Sequence, residues 1–253
     1  QEQAEHRVLV DRTGAEDVAA AALSATTAAV CVSDPVATWA RRHAADPARV
    51  HTLANGVDTT RITPGPPLAE EPFTVGFVGT LKPWHGLPVL LEALALVLAD
   101  DPGYRLLLVG DGPEREALVA RAEQLGIADA VELTGALDPS EIPAQLHRMH
   151  LAVAPYPGGD DFYFSPLKLY EYLAAGLPTV ASAVGTLPDL LDDGRLGVLV
   201  EPGHPRKLAD AITALRQDPQ RRYRLGQAAR QEMVRHHDCT GVVKRALHLV
   251  GRC

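Results

Sequence analysis

Phe73-Thr-Val-Gly-Phe-Val78 runs into Gly79-Thr-Leu-Lys-Pro-Trp-His-Gly86 and then into the apolar-rich stretch 87–100, and this succession decides the fold. The first run is apolar almost throughout rather than alternating, as a strand buried on both faces of a parallel sheet requires. The third is long and periodic enough for a helix packed on that sheet. The same unit recurs. Further strands are expected at 105–109, 130–134, 151–154, 178–182 and 197–200, with helices at 114–125, 142–150, 167–175 and 187–192. Strand–helix alternation at this spacing predicts βαβ units, hence a doubly wound α/β fold with right-handed crossovers. The chain closes on three expected helices, 204–217, 219–236 and 240–250.

Upstream the pattern changes. Residues 8–10, 28–33 and 50–53 read as strands separated by helical stretches, and Thr63-Pro-Gly-Pro-Pro67 interrupts like a linker. Three strands are too few to close a sheet. Residues 1–62 are therefore expected to be the tail of another α/β domain, 63–72 a linker and 73–253 a Rossmann-like domain.

The chain has 253 residues, 46% of them hydrophobic, with a formal charge of −8. That balance gives no general affinity for nucleic acid or an anionic membrane. No apolar run reaches the roughly 18 residues that would span a bilayer. The Ala-rich stretch 18–32 comes nearest, but Ser24, Thr26 and Thr27 interrupt it. The three cysteines, Cys31, Cys239 and Cys253, are odd in number and scattered, so a reducing, cytoplasmic compartment without disulfides is expected.

Function points to Ser165-Pro-Leu-Lys-Leu-Tyr-Glu-Tyr-Leu-Ala-Ala-Gly176. Ser165 reads as an N-cap and Pro166 as the first helical residue. Lys168 then lies in the first turn, where the helix dipole disfavours a cation. A bound phosphate reverses that sign, because backbone N–H groups around Leu167 and the lysine converge on it. Glu171 follows one turn later on the same face, placed to accept from sugar hydroxyls. An ordinary surface helix with a Lys–Glu pair is the competing explanation.

In the loop after the first strand, Gly79 allows close backbone approach, and Lys82 and His85 supply donors at a strand end. Trp84 reads as packing. Val109-Gly-Asp-Gly-Pro113 reads as a structural turn; it lacks the G-x-G-x-x-G spacing of a dinucleotide fingerprint. Thr186 reads as a helix cap with Asp189 in the capping-box position. His236-His-Asp-Cys239 has metal-ligand residue types, but neighbouring residues on a helix point about 100° apart, so a helix end explains them better.

Taken together, Asn55-Gly-Val-Asp58, the loop from Phe77 to Gly86, the run from Leu108 to Glu114, Pro155-Tyr156, and Lys168 to Thr179 with Ala174-Ala-Gly-Leu-Pro178 resemble the retaining glycosyltransferases of the GT-B fold, family GT4. The resemblance runs through nearly the whole chain. It implies a two-domain enzyme whose C-terminal domain binds a nucleotide sugar and whose N-terminal domain, mostly absent here, binds the acceptor. It also implies that the C-terminal helices pack back toward the first domain. Lys82 and Lys168 would be the catalytic cations on the diphosphate. Gly79, Thr80, His85, Ser165, Pro166, Leu167 and Glu171 would bind the donor, with base contacts from backbone at 133–137, Gly135 included, and Ile142.

Two departures from the family pattern stand out. Thr80 and His85 occupy places where the family has Arg and Lys, and Lys82 between them is expected to take over their charge. The family's paired glutamates, eight positions apart, become Tyr163 and Glu171; Asp160, Asp161 or the Tyr163 hydroxyl are the candidates to replace the missing sugar contact. No metal is expected to be needed, and no Asp-x-Asp pair offers a site. The expected donor is a uridine or guanosine diphosphate sugar; the acceptor is open, and a lipid-linked one would place the protein peripherally at a membrane. Two other readings stay in play: a nucleotide-sugar-binding fragment without transfer activity, and a GT-B epimerase using Asp160, Asp161 and Glu171 as acid and base.

Overall fold

A computed structural model describes residues 14–159, 162 and 165–251. Two parallel sheets organise the chain. The smaller comprises β1 (Ala29–Cys31) and β2 (Val50–Thr52), joined through α2 (Asp34–His43), with α1 (Ala15–Ala25) leading in. Ala37, Ala40, Cys31 and Val50 form its small core. The expected strand at 8–10 lies outside the described residues.

The larger sheet has six strands: β3 (Phe73–Val78), β4 (Tyr104–Val109), β5 (Val131–Leu133), β6 (Leu151–Ala154), β7 (Thr179–Ser182) and β8 (Val198–Val200). Their order is β5-β4-β3-β6-β7-β8, every pair parallel. Helices α3 (Leu87–Asp100), α4 (Arg115–Gln124), α5 (Ile142–Leu146), α6 (Leu167–Ala174) and α7 (Leu187–Leu190) make the crossovers. Two buried clusters lie on opposite faces, because side chains alternate across the pleat. Phe73, Val75, Phe77, Leu106 and Leu108 pack with α3; Val78, Leu107, Val109 and Ala152 pack with α6. This is the doubly wound α/β architecture that continuous apolar strands require.

The chain ends in α8 (Pro205–Gln217), α9 (Pro219–Glu232), a π-helical turn (Met233–His237) and α10 (Cys239–Leu249). The helix expected over 219–236 therefore runs its full length, with its last turn wound as a π-helix. It ends at a chain crossing: Val57 N–H donates to the His237 carbonyl at 2.8 Å and the Val57 carbonyl accepts from Cys239 N–H at 3.1 Å. Asp238 then caps α10 by accepting from Thr240 N–H. Val57 and Ile62 are buried in the large core, and Arg230 of α9 donates to the carbonyls of Ile62 and Ala174 and, through its second nitrogen, of Thr59. Residues 55–62 are thus bolted to the larger unit.

Three local expectations are corrected. Pro166 holds an extended ψ of 112°, so α6 begins at Leu167, and Ser165 does not cap it. The Ser165 hydroxyl bonds Tyr170 Oη at 3.0 Å instead, and its carbonyl accepts from Asn55 Nδ2 at 3.0 Å. Those two contacts fix the chain before the first turn. Thr186 flanks α7 without a side-chain cap. The expected helix 142–150 ends at Leu146, because a strand must start at Leu151 and His147 turns to the Thr63 carbonyl at 2.8 Å.

Candidate functional site

Strand order reverses direction between β3 and β6: the chain winds to β4 and β5 on one side and to β7 and β8 on the other. The crevice at the carboxyl ends of those two strands is where open α/β sheets bind ligands. Both loops with sequence signals open there. Gly86, with φ +67°, sits so close to the loop after β6 that a Cβ would collide with the Pro155 carbonyl. The loops after β3 and β4 are knitted by Gly79 N–H to Val109 O and Leu81 N–H to Asp111 O, each 2.9 Å. Gly110 and Gly112 permit this, since a side chain at either would strike the backbone of Gly79 or Leu81. The structural reading of 109–113 therefore suffices. Gly135 joins the same edge through a bridge to Gly110, where Thr134 Oγ1 accepts from Gly110 N–H at 3.3 Å.

Lys168 is the second residue of α6 and reaches into this crevice. Its Nζ lies 4.1 Å from the Phe77 ring centroid and 5.5 Å from that of Tyr156. It lies so near Gly79 that a Cβ there would come within 2.8 Å of it. The amine is buried and has no hydrogen-bond partner among the described residues. Burial drives its pKa well below the lysine range, and the Glu171 carboxylate restores only part. A buried amine over aromatic faces is costly to keep charged unless an anion lies beside it.

His85 stands beside it, its Nδ1 2.6 Å from the Thr80 carbonyl. Desolvation first, then the neighbouring Lys168 charge, push its pKa down to about 3, so the ring is neutral. With Nδ1 carrying the proton that Thr80 accepts, Nε2 presents a lone pair. A donor role for His85 thus requires the ring to gain a proton. Lys82 sits at the head of the short 3-10 turn Pro83–His85, its Nζ 5.1 Å over the Trp84 ring.

Glu171 follows one turn after Lys168, half-buried. Burial raises its pKa, and Arg61, then Lys168, oppose the rise. Arg61 Nη2 lies 3.3 Å from Glu171 Oε1, and Nη1 donates to the Pro139 carbonyl at 2.8 Å. The turn that delivers Arg61 is built by Asp58, whose Oδ1 accepts from the N–H groups of Thr60 and Arg61. Leu167 is exposed and Pro166 buried. Asp160, Asp161 and Tyr163 lie outside the described residues.

Gly79, Thr80, Lys82, His85, Lys168, Glu171 and the start of α6 therefore belong to one end of the sheet, with Gly135 two strands away. Sequence reading missed Arg61, which belongs to the upstream segment yet meets Glu171, and Tyr172, whose buried hydroxyl accepts from Val78 N–H at 2.7 Å and fixes the end of β3. The signal for Arg61 was its place three residues after Asp58 in a turn next to the linker. The histidines of His236-His-Asp-Cys239 diverge, His236 toward Glu232 at 3.9 Å and His237 toward the Asn55 carbonyl at 3.3 Å. Among the described residues no group of three or more His, Cys, Asp or Glu side chains could hold a metal, and no helix is long and apolar enough to cross a membrane.

The family model for glycosyl transferases group 1 matches residues 58–232. The D-inositol 3-phosphate glycosyltransferase of Segniliparus rotundus is 34% identical over 200 residues, covering 74% of this chain and 43% of that protein. The phosphatidyl-myo-inositol mannosyltransferase of Mycobacterium leprae is 33% identical over 201 residues, covering 78% of this chain and 52% of that protein. The chain thus spans about half the length of these curated relatives. Among solved structures, Anabaena HepE in complex with UDP and glucose superposes with a TM-score of 0.80 at 21% identity, over 94% of this chain and 67% of that one. Sucrose-phosphate synthase from Thermosynechococcus elongatus gives 0.78 at 23%, over 95% and 61%. The fold is that of the GT-B glycosyltransferases. The chain belongs to the group 1 glycosyltransferase family.

Proposed function

We propose that this member of the group 1 family forms the donor-binding half of an enzyme that transfers a sugar from a nucleoside-diphosphate sugar to an acceptor, with retention of anomeric configuration. The observation that carries the reading is the buried, unpartnered Lys168 amine at the strand switch point. Departure of a nucleoside diphosphate builds negative charge on its terminal phosphate. Fixed cations and N–H dipoles in a dry crevice stabilise that charge without reorganising. Lys168, Lys82 and the free N–H groups opening α6 serve this purpose. The diphosphate supplies the counter-charge that Lys168 lacks, and it favours the protonated form of His85, making Nε2 a second donor. Glu171 accepts from the ribose hydroxyls, and Asp160, Asp161 or Tyr163 contact the sugar. Retention is part of the proposal: the leaving phosphate takes the acceptor proton on the face it departs from. The named ligands of the relatives, an inositol phosphate and a phosphatidylinositol, and the UDP of the structural neighbours favour a uridine or guanosine diphosphate donor and a polyol acceptor.

Residues 1–62 are proposed as the tail of the acceptor-binding domain. This chain alone is then a competent nucleotide binder and a poor transferase, because half a cleft cannot orient the acceptor. Calorimetric titration with UDP, GDP, ADP and dTDP tests the donor site. Saturable binding by one of them supports the reading; no binding by any of them, with the fold verified by circular dichroism, contradicts it.

A further inference from the structure

The donor reading makes Glu171 a hydroxyl acceptor but leaves unexplained how a half-buried carboxylate keeps one orientation and its charge. Three observations converge on Arg61. Its guanidinium is split between two partners, Pro139 O at 2.8 Å and Glu171 Oε1 at 3.3 Å, so it spans from the loop after β5 to α6. Its backbone is anchored on both sides, by the Asp58 turn before it and by Arg230, which grips the Ile62 carbonyl after it. Among the described residues Arg61 alone bonds the Glu171 carboxylate, through Oε1, which leaves Oε2 to accept from a ligand.

We propose that Arg61, which no motif assigns to the site, is the positioning residue that holds Glu171 ionised and aimed, so that the chain tells a ribonucleotide from its 2′-deoxy counterpart. The inference rests on the proposed ribose role of Glu171. A guanidinium fixed at one carboxylate oxygen limits rotation of the group and leaves the other oxygen to accept from a hydroxyl. The charged groups facing Glu171 are Arg61 from the upstream segment and Lys168 on its own helix. Lys168 is committed to the aromatic pocket over Phe77, which leaves Arg61 as the direct partner.

The experiment compares UDP with 2′-deoxy-UDP, and GDP with 2′-deoxy-GDP, by calorimetry on the wild-type chain, Glu171→Ala, Arg61→Ala and Arg61→Lys, at two pH values on either side of neutrality. The wild type should prefer the ribonucleotide by about tenfold or more, and Glu171→Ala should abolish the preference. Arg61→Ala should reduce the preference several-fold, more at the lower pH, since loss of the cation raises the Glu171 pKa further and protonation then removes the acceptor. Arg61→Lys, which keeps the charge without the fork, should recover part of it. A purely structural arginine would weaken both nucleotides equally at both pH values, and that result overturns the inference. A preference lost in Glu171→Ala but intact in Arg61→Ala also overturns it while sparing the ribose reading. A preference untouched by Glu171→Ala removes the ribose reading itself.

Discussion

Both ends of the large sheet carry cations over aromatic rings, and they differ in how the charge is satisfied. At the amino end of the strands, Arg216 lies 4.2 Å from the Tyr104 ring centroid and Arg222 lies 5.1 Å from that of Phe73. Both have carboxylates: Arg216 Nη2 reaches Asp101 at 2.9 Å and Glu71 at 3.2 Å, and Arg222 reaches Glu70 at 2.6 Å. Arg222 also donates to the carbonyls of Leu215 and Arg216 at the end of α8. At the carboxyl end, Lys168 sits 4.1 Å over Phe77 with no hydrogen-bond partner among the described residues. The amino end is an ion-paired structural joint between residues 70–71, the sheet and the terminal helices, with Arg216 Nη1 left over. At the other end no carboxylate among the described residues meets the cation, and under the proposed function a diphosphate takes that place. Arg115 Nη1 and Arg216 Nη1 are also buried without a hydrogen-bond partner, but each belongs to a guanidinium paired with a carboxylate, whereas the Lys168 amine has neither among the described residues, and this difference is what the proposed donor site rests on.

The contrast can be broken by mutation. Lys168→Met keeps the length of the side chain and removes the charge. Nucleoside diphosphate affinity should fall by roughly ten- to a hundredfold, the equivalent of about 1.5–3 kcal/mol for a charge-assisted contact, while thermal stability holds or rises, because no native ion pair is lost. Arg222→Ala should do the reverse. Removing the guanidinium takes a donor from the carbonyls of Leu215 and Arg216, of which Leu215 keeps the 3.4 Å bond from Asp218 N–H, for a loss of about 2 kcal/mol in urea unfolding with the urea m-value unchanged, and nucleotide affinity should stay as in the wild type. Equal behaviour of the two variants in either assay would erase the distinction between the two ends. Gly79→Ala sharpens it on a smaller scale. With φ at +146° and the new methyl crowding the Lys168 amine, about 1 kcal/mol of stability should be lost, together with several-fold weaker nucleotide binding; a neutral result would place the amine elsewhere.

Much of this was legible in the residues. Apolar, β-branched runs gave every strand of the large sheet to within a residue at either end, because strands buried on both faces tolerate almost nothing polar; Phe73–Val78 and Leu151–Ala154 match their expected bounds. Helix ends were less legible. Ser165 has the chemistry of a cap, yet Asn55 and Tyr170, distant in sequence or one turn ahead, claim it. The crossing of Val57 and Asp238 that follows the π-helical turn joins residues 181 positions apart, and no local pattern announces it. At the site, Lys168 and Glu171 were readable because their spacing on one helix is local. Arg61 was not, since its partner lies 110 positions away.

The central claim is that Lys168 awaits an anion, and protonation measures that directly. Burial lowers the pKa of the free amine, and a bound diphosphate must raise it again. Between the two values, binding takes up a proton and affinity falls as pH rises. Calorimetric titration with UDP and GDP in two buffers of different ionisation enthalpy, for the wild type and Lys168→Met, reads that uptake. The account predicts uptake by the wild type that is largest midway through this window, falls away on either side, and is reduced in Lys168→Met. Tight binding with the same proton balance in both proteins would contradict it.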